Sequence, residues 1–347
     1  IMDFGQARGG HGAGTISTLY TPPMPTAAIA VPSLATGGNR VTALRWARRL
    51  RELGWHVFVE EDWSGRDAGV LVALHARKSG EAIERWARAH PDRPLVVAAT
   101  GTDVYLDLEG SGLEGPATRR GFERARRIVV LQEEAIRALP ADLQGRARVI
   151  HQSSPTCAAR PEPDASCFEV VVLANLRPVK DPLLPARAAA LLPRDSRVTI
   201  LHLGAGLDPD LVTEARRHES PRWSWRGPRP RRAALHALAR ARLCVSPSRA
   251  EGGANVVTEA LALEVPLLAT RIPGATGLLG DDHPGLFPVG DERALAALLS
   301  RAEREPAFLE DLRAAGQARA LLADPERERA AWRELLAELD ATAGTPT

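Results

Sequence analysis

The chain has 347 residues, 44% hydrophobic and 25% charged, with a formal net charge of only +2. That balance excludes a wholly disordered chain, the lack of a basic excess argues against a general nucleic-acid binder, and the length favours two domains. No apolar run approaches the roughly 18 residues that a membrane-spanning helix needs, and no charged-then-apolar leader pattern opens the chain.

Residues 1–25 are rich in Gly, Thr and Pro, lack periodicity and read as an unstructured tail. The first apolar strand falls at 27–31. A turn-rich run, 33–40, leads into a helix with Val41, Leu44, Ala47 and Leu50 at helical spacing, ended by Gly54. Strands are predicted at 55–59, 70–74, 95–99, 128–131 and 148–150, with a helix at 79–90. Three prolines within 155–163 mark a linker. The pattern then restarts. Strands at 169–174, 198–203, 223–226, 243–246 and 265–269 alternate with helices at 182–192, 208–217, 231–239 and 254–263. Helices at 292–304, 307–322 and 326–339 close the chain. Strands alternating with helices build parallel sheets covered on both faces. The expected fold class is therefore α/β, with two Rossmann-like domains, 26–154 and 165–325, facing across a cleft. Ligands of such sheets bind at the carboxyl ends of the strands. Cys157, Cys167 and Cys244 have neither metal-ligand spacing nor an even count, which points to free thiols and a reducing cytoplasm.

The strongest signal is Glu251-Gly252-Gly253-Ala254-Asn255-Val256-Val257-Thr258-Glu259, which follows a predicted strand and opens a helix. The glycines let a ligand approach the backbone, and the helix start favours an anion such as a diphosphate. Two carboxylates eight residues apart can meet one ligand on either side of its phosphates and accept from vicinal hydroxyls. Solvated glutamates beside a capped turn are the alternative, disfavoured by the order of strand, glycine pair, helix and second glutamate. Lys180 and Arg177, after the first strand of the second domain, suit a leaving diphosphate. In the first domain Gly38 is a candidate for donor phosphates, and Asn39 and Arg40 for an anionic acceptor. Arg77 and Lys78 supply further charge, with Thr102 nearby. His75 is either a base or a structural strand-end residue, and Asp103 either orients the acceptor or caps a turn. Trp223 and Trp225 read as packing residues.

Glu251 through Glu259 resembles the Glu-x7-Glu signature of the large retaining glycosyltransferase family four, which has the GT-B fold. The likeness runs from about residue 27 to 339. It implies that Glu251 contacts the donor sugar and Glu259 the ribose, that no metal or other cofactor is obligatory, and that a last helix, 326–341, crosses back onto the first domain. Where this family commonly has an Arg five residues before the lysine, this chain has Asn175. Longer runs, 38–47, 74–79, 100–103, 180–182 and 251–257, together resemble the selenosugar synthases of selenoneine biosynthesis. These enzymes join a hexose from a UDP-sugar to selenophosphate through a carbon–selenium bond. The resemblance implies Glu251, Lys180 and His75 as catalytic residues. It implies a donor site of Gly38, Arg177, Lys180, Glu251, Gly252, Gly253, Ala254, Asn255 and Glu259. The implied acceptor site is Asn39, Arg40, His75, Arg77, Lys78, Thr102 and Asp103. A hydroxyl acceptor, a UDP-sugar epimerase and a non-catalytic nucleotide-sugar binder are the alternatives.

Overall fold

The computed structural model describes residues 24–35, 37–110, 112–156 and 161–343. The tail expected at 1–25 lies almost wholly outside the described residues, as does Cys157; Cys167 and Cys244 are free thiols.

The first sheet contains β1 (Thr26–Ala30), β2 (His56–Glu60), β3 (Val70–Leu74), β4 (Leu95–Ala98), β5 (Arg127–Val130) and β6 (Ala147–Val149). Their order is β2-β1-β3-β4-β5-β6, every pair parallel. Continuous apolar sequence makes this possible: every residue of β3, Val-Leu-Val-Ala-Leu, is buried, as a strand covered on both faces demands. The helices are α1 (Gly38–Glu52), α2 (Gly80–Ala89), α3 (Glu114–Arg124), α4 (Glu134–Ala138) and α5 (Ala141–Gln144). In α1, Ala43, Trp46, Ala47 and Leu50 form one buried stripe at i, i+3, i+4 and i+7.

The second sheet contains β7 (Phe168–Leu173), β8 (Val198–Leu203), β9 (Trp223–Trp225), β10 (Leu243–Ser246), β11 (Leu267–Thr270) and β12 (Leu286–Phe287), ordered β12-β11-β10-β7-β8-β9. It too is parallel throughout. Renumbered within the domain, this is the doubly wound dinucleotide-fold order, whose switch point lies between β7 and β10. In the first sheet the reversal lies between β1 and β3. The accompanying helices are α6 (Leu184–Ala190), α7 (Pro209–His218), α8 (Arg231–Arg240), α9 (Asn255–Ala262), α10 (Pro273–Leu279), α11 (Glu292–Arg304) and α12 (Pro306–Gln317).

The last helix, α13 (Pro325–Ala343), leaves the second domain and packs on the first. Trp332, Leu335, Leu336 and Leu339 repeat the stripe spacing of α1, and Trp332 meets Trp46 edge-on with ring centroids 5.0 Å apart. Arg127 and Arg148 bind Glu338 from the sheet edge, holding that carboxyl down at about 2. The chain thus crosses between domains twice. The two crossings touch where the Ser154 N–H donates to the Ala323 carbonyl at 3.0 Å.

Candidate functional site

The carboxyl ends of the two sheets face each other across a cleft of about 670 Å³. Its second-domain wall comes from the loops after β7, β8, β9 and β10. Lys180 ends a single turn, Pro178–Lys180, that stops because Asp181 takes a left-handed conformation with φ 40°. Asp181 accepts from Arg249 at 2.7 Å and Arg187 at 3.2 Å, and the Arg249 N–H donates to the Val179 carbonyl. This stitching ties the β7 loop to the β10 loop and sets the Lys180 ammonium in an ion pair with Glu251. Ser248 Oγ donates to the same Glu251 oxygen at 2.7 Å.

Glu259, in the second turn of α9, is buried and accepts from Arg231 Nη1 at 2.6 Å. Burial pushes its pKa up; the Arg231 guanidinium works in the opposite direction. Among the described residues no side chain caps α9, so its positive dipole end opens onto the cleft beside Gly253, Ala254 and Asn255. Arg177 also lines this wall. Asn175 lines it too, but its side-chain oxygen accepts from the Ala205 N–H. Trp223 is buried under the sheet, and Trp225 donates to the Gly204 carbonyl at 2.9 Å, so both pack rather than present a stacking face.

On the first-domain wall Gly38, Asn39 and Arg40 form the start of α1 and line the cleft with His75, Lys78 and Thr102. His75 follows β3 in a left-handed conformation with φ 73°, which turns its buried ring toward Thr102, 2.9 Å from Nε2 to Oγ1. Burial lowers its pKa, the nearby Asp103 carboxylate opposing, so the ring is neutral at pH 7. Lys78 is also lowered, first by lost hydration and then by two cations, Arg177 across the cleft and Arg77 beside it.

Three sequence-based expectations need correcting. Arg77 does not join the cleft wall: Asp107 binds its guanidinium at 2.9 and 3.2 Å, and it lines a separate groove between α2 and α3. Asp103 is fully buried and accepts from the N–H groups of Ala76, Thr100, Gly101 and Val104. It pins the β3 and β4 loops together, leaving no oxygen to orient an acceptor. Gly252 is glycine for the opposite domain's sake. A Cβ there would sit 2.7 Å from the Thr100 carbonyl carbon, and one on Gly101 (φ 132°) would strike the Gly252 nitrogen. Backbone meets backbone across the cleft floor, so this glycine admits the other domain rather than a ligand.

The same interface engages the Asn255 side chain. Arg45 donates to its Oδ1 at 2.9 Å, and its Nδ2 reaches the Gly38 carbonyl at 3.4 Å. Arg45 also donates to Gln152 at 2.6 Å and to Glu328 of α13 at 2.8 Å, while Gln152 donates to the Gly253 carbonyl. Arg45, Gln152, Glu328 and Arg231 carry no sequence signal of this kind. For Arg231 the clue available was its place at a helix start after the Gly-Pro loop on the donor side.

Residues 168–304, from β7 to the end of α11, match the family model described as glycosyl transferases group 1. HepE of Anabaena, solved with UDP and glucose, superposes with a TM-score of 0.75 at 18% identity, covering 91% of this chain and all of that one. The sucrose-phosphate synthase of Thermosynechococcus elongatus gives 0.74 at 18% identity over 92% of this chain and all of its own. The fold is GT-B. Among curated proteins, the D-inositol 3-phosphate glycosyltransferase of Nocardia farcinica (strain IFM 10152) is 29% identical over 264 residues. That match takes in 70% of this chain, which spans 56% of the relative's length. The group 1 match falls wholly within the second GT-B domain, the one that carries Lys180, Arg231, Glu251 and Glu259.

Proposed function

We propose that this chain is a glycosyltransferase that moves a hexose, of the glucose or N-acetylglucosamine type, from a UDP-sugar to selenophosphate. The observation that carries the donor half is the second-domain wall. Two carboxylates, each paired with a cation, flank the uncapped start of α9. Lys180 neutralises charge developing on the leaving diphosphate, Glu251 accepts from the hexose hydroxyls and Glu259 from the ribose. The UDP, glucose and UDP-glucose bound in the HepE structures support that donor class.

The acceptor half rests on charge. Lys78 and Arg177 meet from opposite domains, Arg40 stands nearby, and among the described residues none of the three has an ion-pair partner. Such a wall suits an anion that is itself the nucleophile. Selenium attacks the anomeric carbon, the bond from that carbon to the diphosphate oxygen breaks, and UDP leaves. Hydrolysis of the selenium–phosphorus bond then releases phosphate and the selenosugar. A selenophosphate nucleophile needs no base, so the neutral His75 serves as a hydrogen-bond partner of the acceptor. Interdomain closure excludes water and aligns the two substrates.

One further reading has a specific observation behind it. The Nocardia relative is named for an acceptor that carries a phosphate. The same cations suit a phosphorylated alcohol, with His75 then taking the hydroxyl proton. Mass spectrometry of products from UDP-glucose or UDP-N-acetylglucosamine, with and without selenophosphate, separates these. A selenium-bearing sugar plus free UDP, formed only with selenophosphate, supports the proposal. Transfer to inositol phosphate but not selenophosphate replaces it with the second reading. An isomeric UDP-sugar formed without acceptor marks an epimerase.

A further inference from the structure

Arg231 lines the cleft, and its ion pair reaches down to a nearly inaccessible carboxylate. The Glu259 side chain is 7% exposed and that of Arg231 39%. Arg231 stands in the first turn of α8, whose start faces the cleft; Glu259 rises from α9. Nη1 binds Oε1 at 2.6 Å, while among the described residues Oε2 has no hydrogen-bond donor. One carboxylate oxygen is thus fixed by the protein and the other is left for a ligand in the same cleft.

We propose that Arg231 is a positioning residue of the nucleotide pocket, holding Glu259 as an oriented carboxylate so that its second oxygen can accept from a ribose hydroxyl. This rests on the assignment of α9 as the nucleotide helix. Taking a carboxylate out of water favours its protonated form, and a protonated acid is a poorer acceptor for a diol that must itself donate. The titratable and charged groups facing Glu259 are few. Arg231 comes from α8, Arg45 from α1 at longer range, and the Cys244 thiol from β10, itself pushed up by burial and by Glu259. Arg231 alone of these touches the carboxylate, so it supplies most of the compensation. Nucleotide entry covers the site further and makes that compensation matter more.

Removing the guanidinium therefore makes nucleotide affinity depend on pH. Glu259 in the variant titrates at higher pH, so the binding-competent carboxylate disappears as the pH falls. Apparent affinity drops in proportion to the ionised fraction, about tenfold per pH unit on the acid side of that titration. The probe is UDP, titrated calorimetrically into wild type, Arg231→Gln, Arg231→Lys, Glu259→Gln and Arg231→Gln/Glu259→Gln from pH 5.5 to 8.5. Ratios to wild type remove the titration of UDP's own terminal phosphate near pH 6. The expected result is an Arg231→Gln ratio that worsens steadily toward low pH. The flatter profile returns in Arg231→Lys, and the double variant is weak and pH-independent relative to wild type. An Arg231→Gln variant that binds like wild type at every pH, or is weaker by a constant factor, overturns the proposal and leaves the donor site intact. Failure of wild type to bind UDP, or wild-type affinity in Glu259→Gln, overturns the nucleotide assignment and the proposal together.

Discussion

On the second-domain wall each carboxylate meets a cation from another segment, Glu251 with Lys180 and Glu259 with Arg231. On the first-domain wall the carboxylates turn inward, Asp103 to backbone N–H groups and Asp107 to Arg77, and among the described residues Lys78 and Arg40 have no ion-pair partner. The first arrangement is a preorganised polar pocket with both signs of charge, suited to a ligand that has hydroxyls and a diphosphate. The second is a surplus of positive charge over a neutral imidazole, suited to a small anion. Two GT-B domains of similar architecture thus differ in where their acids point.

Substitutions on the two walls should break this contrast in different kinetic terms. Lys180→Ala is expected to have the largest effect. It removes the cation proposed for the leaving group and takes the ion-pair partner from Glu251, so turnover should fall about 100–1000-fold in a UDP-release assay, as for loss of one preorganised transition-state donor. Retained turnover would take Lys180 out of the chemistry. Glu259→Ala comes next. Ribose hydroxyls lose a charged acceptor worth roughly 1.5–3 kcal/mol, so calorimetry should show UDP binding about 10–100-fold weaker. Lys78→Ala and Arg77→Ala sharpen the comparison on the other wall. Loss of Lys78 should raise the acceptor KM by about tenfold with UDP affinity unchanged, from one charge-assisted contact. Loss of Arg77 should leave the acceptor KM alone. It breaks a partly exposed pair, so thermal unfolding should shift by no more than about 1 kcal/mol. A matched KM change in both variants would mean the two cations share one role.

The fold was legible because most of its strands are short, mainly apolar runs; β3 is apolar throughout, and β7 is apolar but for Glu169. α3 escaped notice because Glu114–Arg124 contains Gly115, Pro116 and Gly121. Pro116 stands in the first turn, where its missing N–H costs nothing, and a Cβ at Gly121 would collide with the Ala76 carbonyl. α10 was hidden the same way, with Gly274 against the Glu251 backbone and Gly277 against Gln132. β12 has two residues, too few for a period. On the second-domain wall Glu251 and Glu259 lie in one contiguous motif and Lys180 in a second, while Arg231 lies in neither. The first-domain wall was less legible, since nothing in the order His75-Ala76-Arg77-Lys78 says that Arg77 turns outward to Asp107 while Lys78 faces the cleft. Glycine is ambiguous in the same way: Gly252 signalled close approach correctly, but not whether a ligand or the other domain makes it. Arg45, Gln152 and Glu328 form one buried network from three distant segments, a relation that only tertiary structure creates.

The division of the cleft into a nucleotide wall and an anion wall is tested most directly by a crystal structure with UDP and thiophosphate, the latter standing in for selenophosphate. The nucleotide is expected against the start of α9, its ribose at Glu259 and its diphosphate at Lys180, with the thiophosphate between Lys78 and Arg177. A nucleotide seated on the first-domain wall, or a thiophosphate found only where the diphosphate belongs, would contradict it.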